Sequence, residues 1–331
     1  MIQFIPKQIT IPQMNYSLIN RMMLIVMLVA ELIIFANLTP YFLQLDNLFP
    51  VSREISTLGL VAIGQTMCLL SGGFDLSVGG TAAISCVVVG AFCSPKKLAL
   101  PYYIGLPAGL IVALGIGMAN GFLVTKVKIN PLITTLAMNF ILGGAVILIT
   151  KQPITVNTAA FKFLGATTLG DIRLPLPILV FVALYILYGF LLKYSVFGRQ
   201  LYSSGGNAQA ARIAGINVEK IKFWTYTQSA LIAGFAGIML ASRIATSNPN
   251  IGSTYALESI AATVLGGTAL SGGEGNVWGA FLGVFVTGLL SNGLIMVGAP
   301  QAWRDIATGL VLIAAICLQL ASKNSKRLTA A

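Results

Sequence analysis

The chain has 331 residues, 56% of them hydrophobic and only 9% charged, with a mean hydropathy of +0.88. A soluble domain is about a quarter charged and a disordered chain is low in hydrophobicity, so this composition excludes both. Histidine is absent, and Cys68, Cys86, Cys93 and Cys317 form no CxxC pair, so the pattern calls for no metal and no cofactor. The net charge of +11 comes without a basic run interleaved with aromatics, which points away from nucleic acid and toward basic loops that fix a membrane topology.

In chain order, residues 1–20 read as a polar start, and the first apolar run, 22–38, as a retained span rather than a signal peptide, because Glu31 interrupts it and many runs follow. Further runs lie at 55–71, 76–93, 101–125, 129–150, 174–193, 223–243, 257–270, 277–297 and 305–321. About 20 helical residues cross a hydrocarbon core of about 30 Å, so 55–71 and 257–270 are short. With the amino terminus in the cytoplasm, Lys126, Lys128, Arg199, Arg212, Lys220 and Lys222 fall in inner segments, while Asp46 and Glu54 fall outside. An even count of spans then puts both termini inside.

Between two of these runs stands Leu70-Ser71-Gly72-Gly73-Phe74-Asp75-Leu76-Ser77-Val78-Gly79-Gly80. Glycines at this density disfavour a continuous helix, and backbone released from a helix at membrane depth must be buried in protein or line a wet cavity. Asp75 and Ser77 either meet a polar solute, or serve the fold, with Asp75 capping the helix that begins near Ser77. Leu270-Ser271-Gly272-Gly273 repeats the first four residues 200 positions later, and Gly279 matches Gly79. Interrupted segments at corresponding places mark transporters built from internal repeats. We therefore expect Gly72, Gly73, Asp75, Ser77, Gly272 and Gly273 beside a substrate path, with Thr134 and Asn139 on one general helix face toward it. Thr and Asn also join helices without any transport role.

The longest polar interruption is 194–222. Asn207 is a good helix cap, Ala208, Ala210 and Ala211 are strong helix formers, and Gly215 is a good stop. A helix of about two turns follows, too polar to cross a membrane and too short to be stable alone. Its small, alanine-surfaced face suits a protein groove better than lipid. No Walker A, HExxH or GxSxG motif occurs, so ATP hydrolysis is expected elsewhere and an intramembrane enzyme has little to work with.

The segments LSGGFDLSVGG, INPLITTLAMNF, GGNAQAARIAGINV and VLGGTALSGGEGNVWGAFLG resemble the permease subunits of ribose-type ABC importers, part of a larger group that includes branched-chain amino acid permeases. The resemblance runs from about residue 55 to 320. It implies a second permease chain, a cytoplasmic ABC ATPase, an extracytoplasmic solute-binding protein, and a place in the lipid of a bacterial inner membrane. It also implies that Gly205, Gly206, Asn207, Ala210, Ala211, Gly215 and Ile216 lie against the ATPase. Phe74 departs from the smaller or aliphatic residue of many relatives. The expected architecture is an all-α membrane protein: one transmembrane domain over 1–331, with about ten spans, glycine-broken helices and a cytoplasmic coupling helix. The solute is expected to be a monosaccharide. Nucleoside, inositol, a branched-chain amino acid or a sugar-like signal are alternatives, as is an ion-coupled secondary transporter using Asp75 or Glu258.

Overall fold

The computed structural model describes residues 16–170 and 174–311, together with 313, 314 and 317. The polar start over 1–15 and most of the predicted run beyond 311 lie outside the described residues. The chain is mostly helical, and the only strands among the described residues are two-residue pairings such as Ile154–Thr155 with Thr246–Ser247. The long helices are α1 (Tyr16–Leu38), α2 (Leu45–Leu70), α3 (Val78–Cys93), α4 (Tyr102–Thr125) and α5 (Pro131–Ile149). After a short α6 (Ala159–Ala166) come α7 (Leu176–Tyr194), α8 (Val196–Gly206), α9 (Ala208–Ile213), α10 (Val218–Ile244), α11 (Tyr255–Leu265) and α12 (Val277–Met296). A last helix, α13, begins at residue 301 and runs through 311.

The helix starts follow from local chemistry. Asn130 accepts from Leu132 N at 2.9 Å with Pro131 in the first turn, Asn217 accepts from Lys220 N at 2.9 Å, and Asn276 accepts from Gly279 N at 2.7 Å. Each side-chain oxygen satisfies a backbone donor that the first helical turn leaves orphaned.

Five helices, α4, α5, α7, α10 and α12, are long and apolar enough to cross a membrane. α2 is not among them, yet its inner part is enclosed by protein: every residue from Ile55 to Leu70 is buried. It starts ten residues earlier than its apolar run, because the first turns carry Asp46, Pro50, Arg53 and Glu54. A helix wrapped by protein can keep Gln65 and Thr66 inside, whereas one facing lipid cannot. α5 and α7, by contrast, leave Phe140, Leu148, Ile186 and Phe190 exposed along an apolar face. α2, α3, α4 and α10 pack closely through small residues. Gly64 meets the Ser229 backbone, Gly117 meets Thr227, and Gly237 meets Ala82. On the other flank an aromatic cluster of Phe181, Tyr185, Phe281 and Phe285 joins α7 to α12, and the Tyr185 hydroxyl donates to the Gly59 carbonyl at 3.0 Å.

Candidate functional site

The first glycine break, residues 71–77, folds around Asp75, which has no exposed surface. Asp75 Oδ1 accepts from the Ser77 amide at 3.0 Å and from the Ser77 hydroxyl at 2.6 Å, and Oδ2 accepts from the Ser229 hydroxyl at 2.8 Å. Asn120 of α4 donates to Ser77 Oγ at 2.8 Å. One carboxylate thus ties the break to α10 directly and to α4 through Ser77. Three donors on one buried carboxyl group are what an acid at this depth requires. Ser229 carries this network, although only its neighbour Gln228 stands out in the sequence.

α5 supports the same break through backbone donors. Thr135 Oγ1 accepts from Leu76 N at 3.0 Å, and Asn139 Oδ1 accepts from Gly80 N at 2.9 Å. The predicted face of α5 holds Asn139 but pairs it with Thr135 rather than Thr134. Thr134 is buried, and its hydroxyl donates to Asn130 O of its own helix at 3.0 Å. Positions 135 and 139 are four apart and therefore stack on one helix face, whereas 134 and 139 do not.

The second break, residues 266–276, meets the first. The Gly273 amide donates to the Leu70 carbonyl at 3.0 Å. Gly272, at φ +84°, is so close to Gly72 that an added Cβ would come within 2.9 Å of its backbone. Gly72 and Gly272 of the two repeated strings therefore face each other, while Gly73 lies against Tyr226. Gly205 is wedged into the same point: a Cβ there would overlap the Leu70 carbonyl and lie 2.8 Å from Gly273 N, and one on Gly273 would overlap Gly206. Tyr202, one turn earlier on α8, donates its hydroxyl to the Gly275 carbonyl at 2.9 Å. Glycines far apart in sequence, Gly72, Gly205, Gly206, Gly272 and Gly273, thus form one junction.

α8 and α9 carry that junction to the surface. Ser195 caps α8 by accepting from Gly198 N at 3.0 Å, and Asn207 caps α9 by accepting from Ala210 N at 3.0 Å. α9 has six residues, shorter than the two turns its composition suggests. Gly215 and Ile216 close it by donating to the Arg212 and Ala211 carbonyls, and an Arg212–Glu219 ion pair at 2.7 Å ties it to α10. Ala211 is buried beneath it, while Ala210 and Gly215 face outward and Ile213 is 90% exposed.

The family model described as branched-chain amino acid transport system/permease component matches residues 47–316. The chain is 36% identical over 288 residues to the ribose import permease protein RbsC of Bacillus subtilis (strain 168), which covers 86% of this chain and 88% of that protein. It is 36% identical over 294 residues to the L-arabinose transport system permease protein AraH of Escherichia coli (strain K12), with 88% of each chain covered. It is 33% identical over 276 residues to the fructose import permease protein FrcC of Rhizobium meliloti, with 81% of this chain and 76% of that protein covered. No solved structure matches. Glycine-broken helices, a capped surface loop docked on the breaks and this breadth of similarity agree: the chain is a multi-pass membrane protein of the branched-chain amino acid transport system/permease component family.

Proposed function

We propose that this chain is the permease subunit of an ATP-driven, binding-protein-dependent importer for a monosaccharide, placed in a bacterial inner membrane with about ten spans and both termini inside. A second permease chain would complete the pore, a cytoplasmic ATPase would drive it, and an external binding protein would deliver the solute. The relatives named for ribose, L-arabinose and fructose support the solute class.

The observation that carries the mechanism is the wedge of Gly205 between Leu70 and Gly273. An ATPase that grips Ala210, Ile213 and Gly215 moves α9, and α9 is joined to α8 at Asn207. α8 ends on both breaks, so one displacement at the surface reaches two broken helices at once. Close-packed glycine backbone gives such a contact two discrete arrangements rather than a continuum of them, which is what alternating access needs. The test is Gly205→Ala in the full complex, reconstituted in liposomes. The complex is expected to assemble and hydrolyse ATP, while solute uptake falls to background. Normal uptake per ATP would refute the coupling role.

A further inference from the structure

Between α10 and α11 the chain does not turn back at the surface. Ser247 packs on Gly90 of α3, the Asn248 carbonyl accepts from the Cys86 thiol at 3.8 Å, and Gly252 lies against Gly79 and Ala82. From Gly90 to Ala82 and Gly79 along α3 is roughly 12 to 16 Å at 1.5 Å per residue, so residues 247–252 descend that far as non-helical chain. Gly79 in turn lies fourteen residues, roughly 21 Å, from Cys93 and the Lys96–Lys97 loop, deep in a hydrocarbon layer of about 30 Å.

Irregular backbone at that depth persists only where protein buries it or water reaches it. Near Gly90 it is buried, with Ser247 enclosed, and at the deep end Ile251 and Gly252 are buried too. Just beyond them the chain opens: Ser253 and Thr254 are exposed, and Asn139, whose Oδ1 approaches Gly79, is half-buried. Glu258 stands one turn into α11, its amide donating to the Thr254 carbonyl at 3.0 Å. Two hydroxyls, an amide and a carboxylate thus stand on or beside a turn whose backbone lipid cannot cover.

We propose that Ser253, Thr254 and Glu258, beside Asn139, line the water-filled path and hydrogen-bond the hydroxyls of the passing polyol, making this re-entrant turn the permease's own selectivity site. The inference rests on the importer reading. Its test uses the whole complex in membranes, with Cys317→Ser removing the exposed cysteine while Cys68, Cys86 and Cys93 stay buried. Ser253→Cys and Thr254→Cys are treated with the membrane-impermeant reagent sulfonatoethyl methanethiosulfonate, with and without the imported sugar. Both are expected to react, and the sugar to slow the reaction severalfold. Glu258→Gln is expected to lower uptake about tenfold, as for loss of a hydrogen bond to a charged group. Thr254→Ser should keep uptake and Thr254→Val should lose it, a contrast that stands even if the cysteine variants do not assemble. Silence to the reagent at both positions, a rate that sugar leaves unchanged, or full uptake by Glu258→Gln overturns the proposal. The importer reading itself fails separately, if the unmodified complex takes up none of D-ribose, L-arabinose or D-fructose.

Discussion

The two LSGG turns carry the same four residues and touch each other, yet they are held differently. The first is held by side chains: buried Asp75 gathers Ser77 and Ser229, and Thr135 and Asn139 take up the backbone donors beyond it. In the second, backbone does more of the holding, beside the Tyr202 hydroxyl on Gly275 and the Asn276 cap. Gly272 and Gly273 adopt φ of +84° and +74°, the Ala269 amide donates to the Glu274 carbonyl at 2.8 Å, and the Glu274 side chain is exposed. Each turn is followed by an acid, but only the first acid is structural. A shared string therefore fixes the shape of a turn and not its stiffness, which comes from the residues that other helices bring to it. On the proposed mechanism the first break is the anchor and the second the part that shifts against it.

The largest effect follows from removing the anchor. Asp75→Ala leaves two hydroxyls and an amide buried without their acceptor, and should cost about 3–5 kcal/mol in all, at about 1–3 kcal/mol for each buried donor left unsatisfied. Glu274→Ala should stay within about 0.5 kcal/mol, as surface substitutions do. Denaturant unfolding of the purified chain in detergent reads both. Equal losses would abolish the distinction between the turns.

Next comes the wedge between them. Gly205→Ala forces a methyl into the Leu70 carbonyl, and should cost about 1–3 kcal/mol as an overpacked contact. Gly206→Ala meets only Gly273 Cα at 3.9 Å, an ordinary contact, and should be tolerated. A third contrast sharpens the account of the anchor. Thr135→Val strips the Leu76 amide of its partner and should cost about 1–2 kcal/mol, whereas Thr134→Val removes only a bond within its own helix and should be close to neutral. Unfolding in detergent checks both pairs.

These contrasts also mark what the sequence could tell. Hydropathy located the lipid-facing helices well, because α4, α5, α7 and α12 must be apolar. It shortened α2, whose first turns are polar and whose burial comes from protein rather than lipid. The glycine pair at 205–206 reads as loop, since nothing local says that backbone from two distant segments needs that space. Thr135 and Asn139 are four apart, so helical phase alone puts them on one face. Ser229 and Tyr202 gave no signal, because each acts across the fold on a partner more than 70 residues away. The descent of residues 247–252 was equally silent: Asn248, Pro249, Asn250 and Gly252 announce turns but not their depth.

The smallest predicted effect is the most informative about movement. Tyr202 holds the second break through one hydrogen bond, from its hydroxyl to the Gly275 carbonyl. Tyr202→Phe keeps the ring packed and deletes that bond alone, so its cost to stability should be only about 0.5–1.5 kcal/mol. If the second break is the part that shifts, a bond between it and α8 is part of the linkage that moves it. The variant complex should then keep its ATP hydrolysis but import less solute per ATP, by a factor of a few. The corresponding loss at the first break, Ser229→Ala, should lower stability more than it lowers the ratio of uptake to hydrolysis, because an anchor sets where motion stops rather than passing it on. Measuring that ratio for both variants in liposomes decides the matter. If Ser229→Ala uncouples and Tyr202→Phe does not, the roles of the two breaks are reversed.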